Sequence, residues 1–254
     1  MSKPLFSILH PSVRPRQWRR IRENWIGNAA RPDLIEYLLC FHEAQQADFF
    51  PVPSNPQFPA AFQVCINRKG NHPTLNGRSS LVDNVNLLAD HSHGAVLIVT
   101  ADDQEAPPRW DEELGATILA HESTPAMGDP EAPAYVVQVS TATPNDTHRP
   151  ELMTLQILSR ERWKRFGYVF HPSYSGMYAD QEFSELAYRD RVVIDARELV
   201  FPHHHPKFDP AVPTDEWYKA ANSTDEYARG GRLYHVRKAL DFPPDPEWRL
   251  LSER

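Results

Sequence analysis

The sequence predicts an α/β fold with a mostly parallel central sheet flanked by helices. Strand-type and helix-type segments alternate through its first half, as they do where crossover helices join parallel strands. The continuous apolar run Gly94-Ala95-Val96-Leu97-Ile98-Val99-Thr100 has the length and two-sided hydrophobicity of a central strand covered on both faces. With 254 residues, 41% hydrophobic and 24% charged, the chain can bury a real core, so one domain over 1–254 is expected.

Phe6 to His10 reads as the first strand, ended by Pro11, and Arg16 to Asn28 has helical composition around Trp18, Ile21 and Trp25. Tyr37 to His42 is the second strand and Phe62 to Asn67 the third. Between them lies a Pro-rich loop, Phe50 to Pro59, and after the third comes the turn-rich Lys69-Gly70-Asn71-His72-Pro73. A helix over Ser79 to Ala89 sets Leu81, Val85 and Leu88 on one face. Beyond the apolar run, Pro107 and Pro108 precede Trp110-Asp111-Glu112-Glu113-Leu114, where prolines and acids suit a helix start. Tyr135 to Ala142 reads as strand, Pro144 to Pro150 as loop, and Leu155 to Leu158 as a strand feeding a short helix. Asp180 to Tyr188 is helical, while Arg191 to Ile194 and Leu199 to Phe201 are extended. Prolines and charges dominate from Pro206 onward, so 207–254 is expected to be a tail that wraps the domain.

Several classes fall away. No run approaches the roughly 18 apolar residues of a membrane span, and the start lacks a signal-peptide core, so no membrane partner and a cytoplasmic location are expected. Cys40 and Cys65 sit in apolar strands and read as core thiols, without a disulfide framework or zinc spacing. A net charge of -7 argues against a protein that coats nucleic acid. Two basic clusters could still meet phosphate or be solvated helix faces: Arg14, Arg16, Arg19, Arg20 and Arg22, and Arg229, Arg232, Arg237 and Lys238. There is no Gly-x-x-x-x-Gly-Lys, Gly-x-Gly-x-x-Gly or Gly-x-Ser-x-Gly, which removes the main support for ATPase, Rossmann dehydrogenase and serine hydrolase chemistry.

Three constellations could carry chemistry. Asp102-Asp103 ends the most apolar strand, where open parallel sheets bind ligands, and two adjacent carboxylates suit a hard divalent cation with a diphosphate; alone, the pair could be a solvated turn. Asp180 opens a helix, as a general base for an acceptor hydroxyl or as a simple N-cap. His203 and His205 alternate on an extended backbone and share one side, as a nitrogen complement to Asp103 around manganese or as an unliganded surface run.

The order of these pieces from about Phe6 to Pro206 resembles glycosyltransferase family 2 and its GT-A relatives. The resemblance rests on Ile8-Leu9-His10-Pro11-Ser12-Val13-Arg14, on Asn71 and Asn76-Gly77-Arg78-Ser79-Ser80, on Asn84 and Ala89 to Gly94, and on Thr100-Ala101-Asp102-Asp103 followed by Pro107. It implies a GT-A-type nucleotide-diphospho-sugar transferase fold and a metal-dependent transfer from a nucleotide sugar, UDP-linked, to an acceptor hydroxyl. Pro11, Ser12, Arg14, Glu43, Asn71, Arg78 and Asp102 would then hold the donor. Asp103 with His203 or His205 would hold Mn or Mg, and Asp180 would be the base, giving inversion. Two departures stand out: Phe41-His42-Glu43 must use Glu43 where the family has a base-reading aspartate, and no Gln-x-x-Arg-Trp motif occurs. Ser159 to Trp163 and Tyr234-His235-Val236-Arg237 look like small phage-encoded transferases, which makes a hydroxylated base in DNA one candidate acceptor. A nucleotidyltransferase of similar fold, or a non-catalytic nucleotide-sugar or carbohydrate-binding protein, is the alternative function.

Overall fold

A computed structural model describes residues 4–49, 61–68, 79–122 and 134–244. In chain order its elements are β1 (Phe6–Pro11), α1 (Gln17–Gly27), β2 (Ile35–His42), α2 (Gln46–Phe49), β3 (Ala61–Asn67), α3 (Leu81–His91) and β4 (Val96–Val99). Then follow α4 (Trp110–Glu122), β5 (Val136–Ser140), α5 (Asn145–His148), β6 (Gln156–Ser159), α6 (Arg160–Phe166), α7 (Ala179–Arg189) and β7 (Val193–Val200). The last are α8 (Glu216–Ala221) and α9 (Thr224–Ala239). Among the described residues, seven strands form one sheet in the order β3-β2-β1-β4-β6-β5-β7. β3, β2, β1 and β4 run parallel, β6 is antiparallel to both its neighbours, and β5 and β7 are parallel again.

The pleat of β1 shows how the sheet sorts its neighbours. Phe6 and Ile8 point into a core with Ile21 and Trp25 of α1 and Trp110 and Leu114 of α4. Leu9 points the other way, toward Val85 and Leu88 of α3 and Phe183 of α7. Successive strand side chains face opposite sides, so each inner strand has to be apolar on both. β1, β2 and β4 accordingly read buried nearly end to end. α1 and α4 are also tied by polar bonds, since the Trp110 Nε1–H donates to the Trp25 carbonyl at 2.8 Å and the Trp25 Nε1–H to the Gln104 carbonyl at 3.0 Å. Local chemistry sets the ends. Ser80 and Asp83 form a capping box on α3, Ser159 caps α6, and Gly167 closes α6 at φ 77.

The structure refines several boundaries. Leu81 is exposed, and the buried stripe of α3 is Val82, Val85, Leu88 and Ala89. The two extended stretches around residue 195 are the single strand β7. The expected loop 144–150 contains the short α5, and the expected tail from 207 contains α8 and α9. Cys40 and Cys65 are free, buried and adjacent across β2 and β3. The loop Phe50 to Pro59 and the turn Lys69 to Pro73 lie outside the described residues. No described helix is long and apolar enough to cross a membrane.

At the N-terminal ends of the strands, Glu36 Oε1 accepts from Ser7 Oγ, from the Gly94 amide at 2.9 Å and from the His93 amide. Burial pushes this carboxyl up, but the bonds from Ser7, His93 and Gly94 outweigh it and leave it below the usual range. Gly94 is required there because a Cβ would meet Ser7 Oγ at 2.5 Å and the Ser7 backbone nitrogen at 2.8 Å. Gly94→Ala should therefore lose roughly 1–3 kcal/mol of unfolding free energy in urea. Gly27→Ala, with no atom within 4 Å of its added Cβ, should be neutral or gain up to about 1 kcal/mol; equal losses at both positions would contradict this account.

Candidate active site

β1 is the point where the sheet changes its direction of growth: β2 and β3 lie on one side of it and β4 on the other. The loops leaving β1 and β4 diverge there, and a crevice opens beyond the carboxyl ends of the strands. A cleft of about 710 Å³ occupies this position. That volume suits a ligand of substrate size, for which roughly 300–1,000 Å³ is typical.

Asp102 forms the floor. It is 4% exposed, and its Oδ1 accepts from Ser12 Oγ at 2.7 Å and lies 3.1 Å from His10 Nε2. His10 Nδ1 in turn meets the Tyr37 hydroxyl of β2, so the loop after β4 is tied through β1 to β2. Arg14 Nη1 stands 4.0 Å from the other oxygen of Asp102 and grips Asp215 through Nε at 2.5 Å and Nη2 at 3.3 Å. Burial works against the Arg14 charge, but Asp215 and Asp102 more than offset it and hold the guanidinium above its ordinary value.

Asp103 faces the histidines. The segment after β7 returns to the β4 loop through a bridge between Gln104 and His203, and the His204 amide donates to the Asp103 carbonyl at 2.8 Å. His203 Nε2 is thereby set 3.4 Å from Asp103 Oδ1, while its Nδ1 is buried without a hydrogen-bond partner. The His205 ring lies 5.1 Å from that of His203 and 5.4 Å from Tyr218. Burial, then the neighbouring His203, lowers His205 to about 4, so its imidazole is neutral at pH 7. Burial pushes Asp103 up, but the bond and charge of His203 overcome it and keep the carboxyl below its usual range. Among the described residues no three His, Cys, Asp or Glu side chains converge closely enough to hold a metal ion by themselves.

Asp180 lines the same cleft. It is not the N-cap of α7: Tyr178 holds that position, in the left-handed region at φ 70, and offers no side-chain cap. Asp180 sits in the first turn instead and accepts from the Gln181 amide at 2.9 Å. Burial dominates and raises its carboxyl, with Gln181 and Arg149 pulling back only in part.

The cleft thus gathers Pro11, Ser12, Arg14 and Asp102 from the candidate donor residues, with Asp103, His203, His205 and Asp180. Glu43 is not among its lining residues; it is exposed and pairs with Arg68. Gln45, two residues on, lines the cleft instead, with Nε2 donating to the Val13 carbonyl at 3.1 Å. Asn71 and Arg78 lie outside the described residues. The two basic clusters are not single patches. Arg20 pairs with Glu105 and Arg22 is buried over Phe62, while Arg229, Arg237 and Lys238 pair with Glu226, Glu182 and Glu185. Trp217, Tyr218 and Tyr227, all from the expected tail, also line the cleft. Two signals for that segment were present in the sequence: Ser223-Thr224-Asp225-Glu226 is a capping-box pattern, and Gly230-Gly231 inside a helix implies a close approach. A Cβ at Gly230 would meet the Met177 carbonyl oxygen at 2.5 Å.

No known family model and no curated protein sequence matches the chain. Solved structures do. Residues 1–349 of Staphylococcus aureus TarS in complex with UDP-GlcNAc match with a TM-score of 0.56 at 12% identity, over 97% of this chain and 75% of that one. The larger TarS structure gives 0.54 at 11% identity, over 94% of this chain and only 43% of its own length. The mannosyltransferase PcManGT from Pyrobaculum calidifontis, in complex with GDP-Man and Mn2+, gives 0.50 at 13% identity, over 100% and 80%. The chain has the GT-A-type fold. In this GT-A fold the cleft described above is built from the ends of β1 and β4 and the starts of α7 to α9.

The raised carboxyl of Asp180 sets the sign of its effect on stability. Its folded titration lies above the ordinary 3.8, so the fold favours the protonated form, and relative stability is lost as pH rises through the folded value. Asp180→Asn should therefore melt at a higher temperature than wild type at pH 7, with the gap closing as pH falls toward 3.8. A variant that melts lower at pH 7 would contradict this burial account.

Proposed function

We propose that this chain transfers a sugar from a nucleotide-diphosphate sugar, UDP-linked, to an acceptor hydroxyl with inversion, and that it works as one unit in which α8 and α9 close the cleft. The observation that carries the reading is the meeting of three carboxylates with different environments in one cleft at the switch point: Asp102 locked, Asp103 beside imidazole, and Asp180 raised. A pair of titratable groups pushed apart by their surroundings is how acid and base roles are divided at a site. The complexes of TarS with UDP-GlcNAc and of PcManGT with GDP-Man and Mn2+ support a nucleotide-sugar donor for the shared fold.

Asp103 with His203 or His205 offers a carboxylate and an imidazole, fewer than a closed shell needs, so a Mn ion there would take its remaining ligands from the donor diphosphate and water. The buried, unpartnered Nδ1 of His203 and the open 3.4 Å contact to Asp103 suit residues that complete their bonding with a further group. When bound there, a divalent cation supplies charge neutralisation for the departing diphosphate. Arg14 adds a fixed positive charge at the same wall, and Asp102 holds Ser12 and His10 so that the β1 loop keeps its shape. Asp180 takes the proton of the acceptor hydroxyl as its oxygen attacks the anomeric carbon.

Thermal melting of the protein with UDP, GDP, CDP, ADP and their sugars, each with Mn(II), Mg(II) or EDTA, should show a metal-dependent rise with uridine compounds. No rise with any nucleotide would sink the donor assignment. Asp103→Ala should lose turnover by at least about 100-fold and EDTA should abolish it; near-normal rates at saturating metal would count against Asp103. Asp180→Asn should lower kcat by about 10²–10⁴ while sparing donor affinity, and the wild-type rate should rise with pH on a limb above the usual carboxylate range. Release of a nucleoside diphosphate, and not pyrophosphate, separates this chemistry from nucleotidyl transfer.

A further inference from the structure

Between His205 and Asp180 the wall of the cleft is aromatic. The Tyr218 ring packs 5.4 Å from His205, and Tyr227 lines the same cleft as Tyr218 and Asp180. Trp217 lines the same cleft, and Tyr227 is 40% exposed. These rings come from α8 and α9, and α9 is drawn against the loop before Asp180 by the missing Cβ of Gly230. Half-open aromatic faces next to a candidate base serve either the C–H face of a sugar ring or a stacked nucleobase.

Charge separates these occupants. A DNA strand needs several cations free for its phosphates. On α7 and α9, Arg229, Arg237 and Lys238 are committed to Glu226, Glu182 and Glu185, and Arg14 is committed to Asp215. Among the described residues, the remaining cations that line the cleft are Arg149, which donates to the neutral Gln181 Oε1 at 2.7 Å, and Lys207, set over Phe208. A chain of net charge -7 with two such cations offers little for a polyanion. It offers hydrogen bonds and ring faces for a neutral polyol.

We infer that the acceptor is a neutral saccharide, seated with a pyranose face on Trp217 and Tyr227 and one hydroxyl at Asp180. The inference rests on the transfer reading above. The acceptor hydroxyl gives its proton to Asp180 and its oxygen bonds to the anomeric carbon of the donor. The bond from that carbon to the diphosphate oxygen breaks, and the electron pair leaves with the nucleoside diphosphate.

The test measures nucleoside-diphosphate release from the donor that the melting screen selects, with full-length protein. The added probes are maltotriose, cellotriose, mannotriose and triacetylchitotriose on one side and a duplex oligonucleotide carrying 5-hydroxymethylcytosine on the other. At least one trisaccharide should raise release about tenfold above hydrolysis, with little change between about 50 and 200 mM salt. Trp217→Ala and Tyr227→Ala should raise its KM about tenfold, and Trp217→Phe and Tyr227→Phe should restore most of that loss. A measurement that needs no variant is saturation-transfer NMR on wild-type protein: irradiating aromatic protons should mark one face of the trisaccharide. Acceleration by the duplex alone, fading with salt, overturns the saccharide assignment. So does donor hydrolysis that no trisaccharide accelerates, or a trisaccharide KM that ignores the alanine variants while its protons receive no aromatic saturation. Failure of the donor to bind or turn over at all removes the transfer reading and this inference together.

Discussion

A buried carboxylate in the floor of the cleft organises the rest. Asp102 leaves β4 with almost no access to water, and an isolated carboxylate there would be strongly unfavourable. It is held because two neighbours from β1 reach it: Ser12 donates from the following loop and His10 stands against the same oxygen. His10 can do so only because Tyr37 of β2 engages its other nitrogen. The loop after β4 is thereby locked to the end of β1, and through His10 to Tyr37 near the start of β2, where the loops would otherwise diverge without constraint. Asp103, one residue on, points away from that lock toward His203 and stays available for chemistry. Adjacent aspartates thus take different partners by which way the backbone turns them.

The second organising contact joins the two ends of the chain. Arg14 of the β1 loop grips Asp215, and Asp215 caps α8 by accepting from the Tyr218 amide at 2.7 Å. The same carboxylate therefore starts a helix and anchors it to the cleft. α9 follows and packs on α7, with the buried pair of Arg237 and Glu182 between them. Truncating either side of such a pair leaves an uncompensated buried charge, which makes the docking of α9 close to all-or-none. The residues beside Asp180 depend on this docking, since the helix that carries Tyr227 reaches them only by close contact at Gly230.

Much of the fold was legible because its signals are local or periodic. The apolar run ending at Thr100 and the strands at Phe6 and Tyr37 need only neighbours in sequence to be read. Asp102-Asp103 and His203 to His205 stood out for the same reason: unusual residues at the ends of strand-like segments. Other features were not legible. That Glu43 faces Arg68 while Gln45 faces the cleft is decided by the 3-10 turn after β2, a choice that spacing in an irregular segment does not encode. In the basic cluster near the C-terminus the Arg229 pairing with Glu226 follows helical i, i+3 spacing, whereas Arg237 and Lys238 pair with Glu182 and Glu185 of α7, 55 and 53 residues away, which spacing does not encode.

The sequence by itself determined the α/β class, the central strand and the residue types that can carry the chemistry, because hydrophobic period and short-range capping act within a few residues. Only the tertiary structure decided which of those residues meet. The Asp102 lock, the pairing of Asp103 with His203 and the grip of Arg14 on Asp215 join positions about 90 to 200 residues apart, and such contacts form only when burial of the sheet faces brings their loops to one end.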